Sequence, residues 1–205
     1  EQARLNRAAY ARDSELYQSA LLRLTEQIRN CMLVHRQPDA VPARQGQLDG
    51  ARVWREPVLR DDRVFLRSDE DPKPAFTVDL LLDGSASRLH CQETIAAQGY
   101  ILAKSLAACG IDVRVSSFCS LRGYTVLRIL KDYGDHGGER RIFDYFAAGW
   151  NRDGLALRGA GQLLRAAPAD KHLLILLTDA SPDDSHKIPP TGKIPLSREY
   201  DGQAG

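Results

Sequence analysis

Phe76-Thr77-Val78-Asp79-Leu80-Leu81-Leu82-Asp83-Gly84-Ser85-Ala86-Ser87 decides how the rest of the chain is read. An apolar run of strand length, ending in an acid and followed at once by glycine and hydroxyl residues, predicts a buried strand feeding a tight turn. Outward from it the pattern alternates. A helix is expected from about Leu89 to Cys109, closed by Gly110. Ile111–Phe118 reads as a second strand and Tyr124–Leu130 as a third, followed by a polar, glycine-rich loop over 131–141. A second helix spans Gly154–Ala166, and Lys171–Thr178 is a strongly apolar strand that ends at Asp179. Strand–helix–strand alternation predicts an α/β sheet with right-handed crossovers.

Upstream, Leu16, Ala20, Leu21, Leu24, Ile28 and Met32 recur at three- and four-residue intervals. One amphipathic helix from Leu5 to about His35 is expected, with Pro38 as its stop. Residues 37–50 read as a loop, and Arg52–Arg55 with Arg63–Arg67 as the two arms of a hairpin. Residues 1–71 thus form an N-terminal helix and hairpin segment ahead of a domain at 72–205. Residues 180–205 hold four prolines and no hydrophobic period, which predicts a long loop.

The 205 residues suffice for one domain with an appendage and bury roughly 70% of the unfolded surface. Lys and Arg number 28 against 27 Asp and Glu, and the arginine-rich N-terminal stretch is itself balanced by acids. That excludes the one-signed patch of a nucleic-acid binder. No apolar run approaches the ~20 residues of a membrane-spanning helix. The start lacks both Met and a signal-peptide pattern, as an internal fragment would. Cys31, Cys91, Cys109 and Cys119 form no CxxC pair and are expected as buried free thiols of a cytoplasmic protein.

Asp83, Ser85 and Ser87 alternate in a turn at the carboxyl end of a strand, the edge at which open α/β sheets bind ligands. Oxygen donors alone favour a hard divalent cation, Mg²⁺ or Mn²⁺. Asp179 brings a second carboxylate to the same edge, and Asn151-Arg152-Asp153-Gly154 supplies a third loop. The competing expectation is a helix N-cap made by Ser85 or Ser87. Tyr145 and Trp150 flank the third loop as core residues or partner contacts. His136 is expected in solvent, His172 packing or facing solvent, and His186 with Lys187 on a surface loop near Asp183 and Asp184.

These segments resemble the von Willebrand factor A (vWA) family, whose metal-ion-dependent adhesion site uses Asp-x-Ser-x-Ser, a loop threonine and a later Asp. Val78–Ser87, Asn151–Ala156 and Thr178–Asp184 are similar to a bacterial branch containing the nitric oxide reductase activation proteins and cobalt-chelatase large subunits. The resemblance implies a Rossmann-like vWA domain with a central, mostly parallel sheet flanked by helices, lacking here its last strand–helix units. It implies that Ser85 and Ser87 ligate Mg²⁺ (or Mn²⁺ or Ca²⁺) directly, with Asp83 and Asp179 as ligands or holders of its waters. Asn151 or Asp153 stands where the family has its threonine. The implied role is an adaptor that captures an Asp or Glu carboxylate of a protein partner and works with a MoxR-type AAA+ ATPase. No GxxxxGK[ST] loop is present, so ATP hydrolysis would belong to that partner.

The alternative is a Mg²⁺-dependent hydrolase or phosphatase at the same acidic edge. Ser85 stands where a haloacid-dehalogenase-type phosphatase needs its second Asp, and no nucleophile elbow surrounds it. No catalytic set is assigned.

Overall fold

The computed structural model describes residues 1–35, 40–68, 76–169 and 171–179. In chain order these give α1 (Gln2–Arg12), α2 (Ser14–His35), β1 (Ala40–Ala43), β2 (Gln47–Leu48), α3 (Arg55–Leu59) and β3 (Phe65–Ser68). Then follow β4 (Phe76–Asp83), α4 (Gln92–Ala108), β5 (Asp112–Leu121), β6 (Tyr124–Lys131), α5 (Asp153–Leu164) and β7 (Lys171–Leu177). Turns of 3-10 helix lie at Ala86–Arg88 and Gly138–Asp144. The chain divides into two compact units, Glu1–Ile28 with Ala75–Gly205, and Arg29–Pro74.

In the larger unit the sheet order is β6-β5-β4-β7. β4 pairs in parallel with β5 and β7, whereas β6 runs antiparallel to β5, so the sheet is mixed. β4 is apolar almost throughout because both of its faces are covered. On one face Leu81 and Phe118 meet Ala156 and Ala160 of α5, with Leu127, Leu174 and Leu176 around them. On the other, Leu82 lies under Gly99 of α4, where a Cβ would sit 3.3 Å from both Leu82 and Ile142. Each fully buried leucine here is worth about 1.5–3 kcal/mol of transfer free energy. The one charge within the run, Asp79, pairs with Arg114 at 2.7 Å across β4 and β5 and accepts a hydrogen bond from the Tyr133 hydroxyl. Gly110 follows α4 with φ +76°, the left-handed position expected of a glycine that ends a helix.

The long N-terminal helix is broken. Asp13 separates α1 from α2, and its carboxylate takes the Arg12 guanidinium at 3.1 Å. Asp and Ser in sequence offer the backbone competing local hydrogen bonds, which favours a break there. Tyr10 and Tyr17 stack across it with centroids 5.0 Å apart. In α2, Leu21, Leu24 and Ile28 are half-buried, but Leu16 and Ala20 of the expected apolar face are exposed. α1 lies against α4 and the Gly138–Asp144 turn, pinned by Asn6, whose Nδ2 donates to the carbonyls of Phe143 and Tyr145 at 2.8 Å each. Ile142 and Phe143, just past the expected polar loop, are buried.

The smaller unit corrects the hairpin. β3 lies between β1 and β2, antiparallel to both, so its partners come from the stretch expected to be a loop. Arg52–Arg55 is not a strand: the Ala51 amide donates to the Asp49 carboxylate at 3.0 Å, and this turn leads the chain into α3. Pro38 and residues 180–205 lie outside the described residues.

Candidate functional site

β4 ends at Asp83, which is fully buried at the carboxyl edge of the sheet. One oxygen, Oδ1, accepts the Ser85 amide at 2.9 Å, which folds the following loop back over the strand end. Gly84 is needed at this turn. A Cβ there would lie 2.8 Å from the Phe118 carbonyl oxygen, and the Gly84 amide itself donates to that oxygen at 2.7 Å. Ser85 stands ahead of the Ala86–Arg88 turn but makes no side-chain cap; α4 is likewise uncapped by a side chain at Cys91. The Ser85 Oγ instead lies 2.9 Å from the Ser87 Oγ. The helix-cap expectation therefore fails here, and both hydroxyls are directed at one another.

The strand that ends at Leu177 delivers Thr178 and Asp179 beside this loop. The Thr178 hydroxyl donates to Asp83 Oδ2 at 3.3 Å and lies 3.5 Å from Asp179 Oδ1. Asp179 Oδ2 is paired with the Arg88 guanidinium, whose Nε donates to Ser87 Oγ at 3.3 Å. Asp83, Thr178, Asp179, Arg88, Ser87 and Ser85 thus form a closed ring of polar contacts. It runs from the buried Asp83 and Ser85 to the exposed Ser87 and Asp179. Thr178 and Arg88 were not among the expected site residues. Arg88 sits 91 residues from Asp179 in sequence, a separation at which nothing local signals the pairing.

The third loop is strapped to the first. The Ala148 amide donates to the Gly84 carbonyl at 2.7 Å and the Ala86 amide to the Gly149 carbonyl at 2.9 Å. Trp150 exchanges both backbone hydrogen bonds with Ser120 at the end of β5. Gly149, at φ +70°, has the Ser120 carbonyl only 2.4 Å from where a Cβ would stand. Tyr145 is wholly buried and its hydroxyl donates to the Asp83 carbonyl; burial, then the nearby Asp83 charge, pushes that hydroxyl's pKa up. The loop leads into α5 through the half-buried Asn151 and the buried Asp153, the first residue of the helix. An acid in a first turn is favoured by the helix dipole.

The chain is similar to proteins named NorD. Protein NorD of Brucella suis biovar 1 (strain 1330) is 32% identical over 183 residues, covering 78% of this chain and 28% of the relative. Protein NorD of Brucella abortus (strain 2308) is 35% identical over 163 residues, 68% of this chain and 25% of the relative. The chain therefore spans about a quarter of the length of the curated relatives it matches. No known family's sequence profile matches it, and no solved structure does.

Among the described residues no three His, Cys, Asp or Glu side chains gather to hold a metal ion, so a cation at this edge depends on the serine hydroxyls. The donor set suits one. Adjacent ligands of an octahedral Mg²⁺, each about 2.1 Å from it, lie about 3 Å apart, and the Ser85 and Ser87 oxygens meet that spacing.

The remaining candidates have ordinary surroundings. His136 is exposed, and His172 is exposed with its Nδ1 2.9 Å from the Thr77 hydroxyl. His186, Lys187, Asp183 and Asp184 lie outside the described residues. All four cysteines are free, but none is buried as expected: Cys31 is exposed and the other three are half-buried. Burial raises the thiol pKa of Cys91 and Cys119, which keeps them poor nucleophiles. No helix among the described residues is long and apolar enough to cross a membrane.

Proposed function

We propose that this chain is a metal-dependent protein-binding module serving as an adaptor for a MoxR-type AAA+ ATPase. Its task is the activation or maturation of a metalloenzyme, with nitric oxide reductase the client favoured by the similarity to NorD proteins. The domain is of the vWA type and acts in the cytoplasm. Ser85 and Ser87 hold Mg²⁺ (or Mn²⁺ or Ca²⁺), Asp83 and Asp179 ligate it or hold its waters, and Asn151 or Asp153 contributes from the third loop. When bound, the cation supplies a concentrated positive charge with a coordination position open to a carboxylate.

The chain's own residues do the rest. Tyr145 and Gly84 fix the strand end, and the buried Asp83 anchors the turn through the Ser85 amide. The exposed Ser87 and Asp179 face the direction from which an Asp or Glu side chain of a partner arrives. The observation that carries the reading is the Ser85–Ser87 pair, whose hydroxyls serve no helix cap and stand 2.9 Å apart beside a buried carboxylate.

The test is a calorimetric titration of Mg²⁺ and Mn²⁺ into the chain and into a Ser85→Ala, Ser87→Ala double variant of unchanged circular dichroism. Saturable binding that disappears in the variant supports the reading. Equal binding in both, or none in either, overturns it.

A further inference from the structure

The polar ring at the sheet edge contains one cation, the guanidinium of Arg88, and it touches two of the groups assigned to the metal. Its Nη2 pairs with Asp179 and its Nε donates to Ser87 Oγ at 3.3 Å. Its side chain is only 16% exposed, so it is held in this place rather than left to sample solvent. Arg88 follows Ser87 directly and lies in the same short turn, Ala86–Arg88. Asp179 presents its other oxygen toward Thr178, and Thr178 links it to Asp83. The guanidinium therefore sits on a pair of carboxylates, Asp83 and Asp179, that are bridged by one hydroxyl.

We infer that Arg88 is an internal competitor of the divalent cation, occupying Asp179 and the Ser87 hydroxyl that the cation needs and so setting how much metal is required to load the site. This rests on the metal-binding reading above. Two like charges cannot share Asp179 and Ser87 at contact distance without mutual repulsion. Loading the cation therefore includes the work of displacing a partly exposed ion pair. Such pairs are weak, so the competition tunes affinity by a modest factor and leaves the site loadable. An arginine cannot be deprotonated to relieve the conflict, so the guanidinium has to move.

The experiment titrates Mg²⁺ by calorimetry into the full chain and into Arg88→Gln, Arg88→Lys and the Ser85→Ala, Ser87→Ala double variant, with folding checked by circular dichroism. Arg88→Gln is expected to bind Mg²⁺ about three- to fivefold more tightly than the parent, the factor that corresponds to loss of one partly exposed ion pair. Arg88→Lys keeps the charge but loses the fork and should fall between the two. If either single variant binds equally or more weakly while the double variant has lost binding, the competition is overturned and the metal site stands. If the double variant binds like the parent, the site itself is overturned, and the role of Arg88 with it.

Discussion

The hydroxyl of Tyr145 donates to the carbonyl oxygen of Asp83, so one side chain fixes both the third loop and the strand end from which the first loop departs. Tyr145 is wholly buried, and so is the residue whose carbonyl it serves. Tyr145→Phe should therefore cost about 1–3 kcal/mol, the range for leaving a buried carbonyl unsatisfied. Urea denaturation of the two proteins measures it, and a variant as stable as the parent would show that the loops are held without this bond.

Glycine substitutions should separate loop closure from helix propensity. Gly84→Ala places a Cβ 2.8 Å from the Phe118 carbonyl and 3.4 Å from that of Phe146, both backbone atoms that cannot swing aside. A loss of about 1–3 kcal/mol is expected. Gly161→Ala, within α5 and with nothing inside 4 Å, should instead gain about 0.5–1 kcal/mol. Opposite shifts in thermal midpoint check both.

Asp79 and Arg114 are almost completely buried, and their pairing at 2.7 Å is supplemented by the Tyr133 hydroxyl and by the guanidinium lying 4.6 Å from the Tyr133 ring centre. Asp79→Ala abandons a buried guanidinium and should destabilise by about 3–5 kcal/mol, whereas replacing both partners, Asp79→Leu with Arg114→Met, should recover most of that. Denaturant midpoints of the single and double variants decide it. A double variant no better than Asp79→Ala would mean that the pair itself, and not the orphaned charge, carries the stability.

Burial and the bond to Asp79 push the Tyr133 phenol up to about 12 from its ordinary 10.0. The unfolded chain gives up this proton as pH rises past 10, while the folded chain keeps it until about 12. Stability drawn from Tyr133 is therefore complete below pH 10 and declines through that window. Burial of Lys131 lowers its pKa and acts with the opposite sign, so the comparison needed is between the parent and Tyr133→Phe. The urea midpoint of the parent should fall more steeply than that of the variant between pH 9.5 and about 11.5. Parallel slopes would remove Tyr133 from the account.

The central strand β4 was legible because burial on both faces writes a continuous apolar run over Phe76–Leu82. Leu173–Leu177 carries the same kind of run although it is at most half-buried at the edge of the described sheet, and Gly110 marks a helix end unambiguously. The small sheet was not. Gln47 and Leu48 are both exposed, so no alternation marks β2, and its pairing with Leu66 and Phe65 is a property of the backbone. Asp83, Ser85 and Ser87 could be read as converging because they are adjacent in sequence. The contact of Asp83 with Thr178 and that of Arg88 with Asp179 depend on β4 and β7 being neighbours, which only the folded sheet establishes. The break at Asp13 lies ahead of Leu16, where the recurring apolar residues begin, so their spacing gave no sign of it.

Asn6 gives the amino-terminal helix a grip on the interior. Its amide holds the carbonyl of Tyr145, and the phenol of that same tyrosine holds the carbonyl of Asp83. Two hydrogen bonds and one aromatic ring thus form a load path from the chain's first helix to the end of its central strand. Displacing α1 would disturb the polar ring through this path and, through Tyr10, the buried rings of Tyr100 and Phe143 at the same time.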